Sequence, residues 1–80
     1  MSTLEKPRKL LWVVSFHPGG GAAAGEHKYL ASRREAEEFA ERARTNGWTI
    51  AGIYWIGDRY GEGPEPTDPD EVRYVGEAGE

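Results

Sequence analysis

The chain has 80 residues, carries 10 basic against 14 acidic side chains for a net charge of −4, and contains no cysteine. That length makes one small domain with thin stability. The lack of cysteine removes disulfides and thiolate metal sites, and an acidic chain without a basic block is a poor ligand for duplex nucleic acid.

Residues 1–9 are polar and interrupted by Pro7, and they read as a flexible arm. Basic residues precede the apolar run Leu10 to Phe16, as in a signal peptide. The run is too short to span a bilayer, and His17-Pro18 and glycines follow it in place of a small-residue cleavage site. The expectation is a cytoplasmic protein that makes no membrane contact.

The core domain is expected over residues 10–57. Leu10 to Phe16 is rich in β-branched and aromatic residues and reads as a central strand. Alternation places Leu10, Trp12, Val14 and Phe16 on one face and Leu11, Val13, Ser15 and His17 on the other. The connection from His17 to Gly25 is rich in glycine. Its Gly20-x-x-x-x-Gly25 spacing has half of a phosphate-binding loop, but Glu26-His27 stands where lysine and a hydroxyl are needed. Gly19-x-Gly21-x-x-Ala24 follows a strand as a dinucleotide fingerprint does, yet no helix start follows to aim amides at a phosphate. A hairpin connection is the simpler reading.

Glu26 to Ala31 reads as a short second strand, with its charges suited to a sheet edge. His17, His27 and Glu26 give at most three metal ligands at the ends of this hairpin. Ser15 and His17 lack an elbow, an oxyanion loop and an orienting acid. No catalytic residue, no metal site and no cofactor is expected.

The stretch Ser32 to Gly47 reads as a helix with both ends marked. Ser32 and Glu35 form a capping box, and Ala36, Phe39, Ala40 and Ala43 form one stripe. Asn46-Gly47 supplies the stop. Arg33–Glu37, Arg34–Glu38 and Glu38–Arg42 are i, i+4 pairs on the solvent side. Trp48 to Ile56 is the third strand, with Ile50, Gly52, Tyr54 and Ile56 expected on one face and Ala51, Ile53 and Trp55 on the other. The run from Tyr29 to Ile56 resembles a pattern common in small bacterial and phage proteins, and that resemblance implies the fold alone.

Residues 58–71 form an acidic segment rich in proline and glycine, expected to be a mobile loop. Val72 to Val75, within the tail 72–80, is expected either as a short strand returning beside the third or as part of a disordered tail. Together these elements predict an α+β fold, β-β-α-β(-β). Its sheet is three- or four-stranded and mainly antiparallel, in the order 2-1-3 or 2-1-3-4, with one helix on one face.

One thin alanine stripe is too little to cover Trp12, Phe16, Tyr29, Tyr54 and Trp55 together. These five aromatics are the interface candidates, unless the arm and the acidic loop fold over them. The leading expectation is a non-catalytic interaction or regulatory module, of bacterial or phage accessory type, binding a protein partner or a second copy of itself. The alternative is a single-stranded nucleic-acid binder that stacks bases on the aromatic strands. A small-ligand binder at the glycine-rich loop is the third.

Overall fold

A computed structural model describes residues 7–19 and 25–76. Residues 20–24, which contain most of the glycine-rich motif, lie outside the described residues, as do 1–6 and 77–80. The elements are strand β1 (Trp12–His17), strand β2 (Glu26–Leu30), helix α1 (Arg33–Thr45) and strand β3 (Thr49–Trp55), followed by a 3-10 turn over Gly57–Tyr60. Both sheet neighbours of β1 run antiparallel to it, in the order β2-β1-β3. This is the α+β, β-β-α-β arrangement expected, with three strands.

Local chemistry sets both helix ends. Ser32 is extended (φ −138°, ψ 162°), and its Oγ accepts from the Glu35 amide at 3.1 Å. Glu35 reaches back to the Ala31 amide at 3.4 Å, one residue before the cap, and its other oxygen pairs with Arg8 at 2.7 Å. At the far end, Gly47 (φ +87°) donates to the Arg44 carbonyl and Trp48 to the Ala43 carbonyl, each at 2.9 Å. This is the double hydrogen bond of a Schellman stop, and the left-handed φ explains the glycine.

Ala36, Ala40 and Ala43 are all buried against the sheet, since small side chains let the helix axis approach it closely. Beneath them lie Trp12, Val14 and Phe16 of β1, with Leu30, Phe39, Trp48, Ile50, Ile53 and Trp55 packed around. Phe16 stacks parallel to Trp48 (5.2 Å, 5°) and meets Phe39 edge-on (5.3 Å, 65°), while Trp12 lies against Trp55 at 5.3 Å. These arrangements add to plain burial.

The alternation expected for β3 is corrected at its start. Ser15 pairs with Gly52 but Phe16 pairs with Ile50, so Ala51 is a bulge residue without a partner on β1. One extra residue reverses side-chain parity. Ile50 therefore joins Ile53 and Trp55 under the helix rather than sharing a face with Gly52 and Tyr54.

The expectation for Val72–Val75 is also corrected. It does not return beside β3 but pairs with the arm: Arg8 bridges Tyr74, Lys9 donates to the Arg73 carbonyl at 2.8 Å, and Val75 to the Pro7 carbonyl at 2.9 Å. Arg73 decides this placement. Its guanidinium lies over the Trp55 ring (5.7 Å), donates to the Glu62 carbonyl at 2.6 Å and grips Glu71 at 2.8 Å.

The acidic segment 58–71 has fixed partners. The Trp55 indole donates to the Gly63 carbonyl at 3.0 Å, Pro66 is buried, and the Arg34 amide donates to the Pro69 carbonyl at 2.9 Å. Arg34 pairs with Asp70 instead of Glu38, whereas Arg33–Glu37 forms as expected at 3.0 Å. No helix among the described residues is long and apolar enough to cross a membrane.

Candidate functional site

The five aromatic candidates divide between the two sides of the sheet. Trp12 (3% exposed) and Phe16 (5%) are core residues, and Trp55 is half-buried beneath Arg73 and the 63–73 segment. Burial removes Trp12 and Phe16 from any surface, a correction to their place among the interface candidates. The physical reason is that the alanine stripe sits low enough for large strand side chains to fill the space beneath it. Tyr29 (50%) and Tyr54 (51%) remain on the opposite face, open to solvent.

Register builds that face row by row. Val13 pairs with Tyr29 on one side and Tyr54 on the other, so two phenol rings flank the central strand. In the next row Ser15 lies between His27 and Gly52. Tyr54 lies back along its own strand over Gly52: a Cβ built at residue 52 would stand 2.4 Å from the phenol oxygen. Glycine at 52 is thus what lets this ring lie flat on the sheet.

The 3-10 turn after β3 closes the face at one end. It presents Arg59 and Tyr60, and Gly61 (φ +79°) terminates it in the left-handed conformation. Two adjoining depressions result. One, of about 260 Å³, is lined by Val13, Ser15, His27, Tyr29, Tyr54, Ile56, Arg59 and Tyr60. The other, of about 560 Å³, extends toward the arm over Leu10, Leu11 and Val75, and shares Tyr29, Ile56 and Tyr60 with the first.

The distribution of exposed apolar surface decides the matter. Every large hydrophobic side chain left exposed among the described residues, namely Leu10, Tyr29, Tyr54, Tyr60 (68%) and Val75, lines one of these two depressions. Scattered exposed apolar residues need no explanation, but a single contiguous patch does.

The electrostatics differ from those of the whole chain. Among the described residues Glu62 is the only carboxylate lining either depression, and it is held between Lys9 and Arg73 (3.5 Å). The Lys9 hydrogen bond is the main cause that lowers its pKa from the ordinary carboxylate value, with Arg73 adding to it. Arg8 and Lys9 are paired with Glu35 and Glu62, while Arg59 makes no ion pair among the described residues. An acidic chain thus presents one apolar face whose uncompensated charge is a guanidinium.

The histidines are set apart. His27 sits opposite Ser15, whereas His17 packs against Gly25, whose added Cβ would stand 3.0 Å from the imidazole. No hydrogen bond joins Ser15 to His27, and no group of three metal-ligating side chains converges among the described residues.

Sequence reasoning missed Tyr60, because the segment holding it reads as a solvated loop. A lone aromatic between Gly57 and Gly61 was the available signal. No family model matches the chain, and no curated protein or solved structure matches it at a significant level.

Proposed function

We propose that the chain is a non-catalytic binding module that engages a protein partner in the cytoplasm through the face carrying Tyr29, Tyr54 and Tyr60. The observation behind this is that, among the described residues, the exposed large hydrophobics all gather on that face. Tyrosine suits such a role, offering a broad rigid contact at low entropy cost and a hydroxyl for the polar rim. The adjoining depressions give an anchor side chain somewhere to sit, and Arg59 supplies a donor fork for a carboxylate on the partner.

The test is affinity capture from the native cell extract with the immobilised chain, the Tyr29→Ser/Tyr60→Ser double variant and an Arg33→Ser control on the outer helix surface. Wild type and control should retain the same partner and the double variant should lose it. Capture of the same set by all three overturns the reading.

A second reading has its own support. Three phenol rings, the imidazole of His27 and the guanidinium of Arg59, which makes no ion pair among the described residues, would suit stacked bases and a phosphate backbone on one sheet face. Fluorescence anisotropy of a labelled single-stranded oligonucleotide separates the two. Binding that weakens steeply with salt favours nucleic acid, and no binding at low salt removes it.

A further inference from the structure

The outer edge of β3 points to a second copy of this chain. The Ile56 amide donates to the Leu11 carbonyl, and with Tyr54 opposite Val13 this fixes which groups face β1. In an antiparallel ladder the alternate residues turn their N–H and C=O groups away. Those of Ile53 and Trp55 therefore point outward, and among the described residues no hydrogen bond reaches them.

Natural sheets protect such edges with charge, proline or a β-bulge that twists the edge away. Strand β2, the other edge, carries Glu26 and Lys28. Strand β3 reads Thr-Ile-Ala-Gly-Ile-Tyr-Trp, without a charge or a proline, and the bulge at Ala51 bends its first half alone.

A second, independent observation lies beneath the helix. Of the partly buried hydrophobics packed around the core, Leu30 lies on β2 and Phe39 on α1, while Trp48, Ile50, Ile53 and Trp55 lie on β3 or its lead-in. Incompletely covered apolar side chains are thus most numerous on the strand with the unpaired backbone, although Trp55 is shielded by Arg73 and Gly63. A bare peptide strand would satisfy the backbone but not these side chains; a second copy brings its own helix layer and does both.

We infer that two copies pair antiparallel through β3 into one six-stranded sheet. Neutral strands put no like charges opposite each other, and a two-fold axis normal to the sheet makes the contact self-complementary. Both helices then lie on one side, and both tyrosine faces lie side by side on the other. Seven residues at about 3.4 Å each and two layers about 10 Å deep give at most about 500 Å² per copy, the maximum because the bulge at Ala51 interrupts the first half of the strand. That is near the lower limit for a specific interface, so association in the micromolar range is expected.

Sedimentation equilibrium of the full chain over a concentration series tests this. The mass should rise from 8.9 kDa to twice that value, and exchange of the Ile53 and Trp55 amides should slow as it does. Two variants block the edge: Thr49→Lys/Ala51→Lys at exposed positions, and a synthetic chain N-methylated at the Ile53 amide. Both should stay at the single-chain mass with an unchanged circular dichroism spectrum, while Tyr29→Ser on the far strand still pairs. A wild type that remains single to about millimolar concentration overturns the inference. So does a dimer that survives both edge variants, or one lost only in Tyr29→Ser, which would place the contact on the tyrosine face instead.

Discussion

Truncating Phe16 to alanine should cost about 3–5 kcal/mol, the range for removing a buried phenylalanine from a packed core. The ring is almost fully buried, stacked on Trp48 and edge-on to Phe39, and aromatic contacts of this kind contribute roughly 0.5–1.5 kcal/mol beyond area alone. Set against a total of about 4–12 kcal/mol for a domain of this size, that loss leaves the protein marginal or unfolded. Tyr54→Ala removes an aromatic ring of similar size from the neighbouring strand, but from the exposed face, and should change stability by no more than about 0.5 kcal/mol. Phe16→Leu, expected to cost about 1 kcal/mol, provides a graded variant if the alanine form does not fold. Urea unfolding followed by circular dichroism and tryptophan fluorescence measures all three, with an unchanged slope showing that the midpoint shift reports stability. Equal costs for Phe16→Ala and Tyr54→Ala, or a neutral Phe16→Leu, would refute the assignment of the two faces.

Ser32→Ala should remove about 1 kcal/mol by freeing the Glu35 amide, and lower the thermal midpoint by roughly 4–8 °C; a change under 1 °C would mean the cap is not formed. Glu62 has a folded pKa below its unfolded value, so its contribution is present above the unfolded value and lost as pH falls through the folded one. Stability measured across about pH 5 to 3 should therefore fall less steeply in Glu62→Gln than in wild type, and parallel acid limbs would contradict the Lys9–Glu62–Arg73 arrangement. Gly52→Ala should keep the fold, with stability within about 1 kcal/mol, while the new Cβ drives the Tyr54 ring from its place over residue 52. Nuclear Overhauser contacts between that ring and the residue 52 backbone should be present in wild type and absent in the variant.

The helix was legible because its signals are local: cap, stripe and stop all lie within Ser32–Gly47. The face of β1 was legible for a similar reason, its alternation being unbroken from Trp12 to Phe16. The start of β3 was not, since the bulge at Ala51 reverses parity for Ile50 and leaves only a mid-strand glycine as its mark. The pairing of residues 73–75 with the arm depends on Arg73 reaching Trp55, Glu62 and Glu71, contacts made by the folded chain rather than by sequence neighbours. Tyr60 was lost with its segment, whose acidic, proline-rich composition hides the turn that brings the ring back onto the sheet.

The account turns on the tyrosine face as the place where a partner binds. A photo-crosslinking residue at position 29, far from the β3 edge, tests it most directly in the cells that make the protein, with the same probe at position 33 on the outer helix surface as control. The account predicts a discrete adduct with another protein from position 29, distinct in mass from a multiple of the chain, and none from position 33. Adducts from position 33 alone, or the same pattern from both, would contradict it.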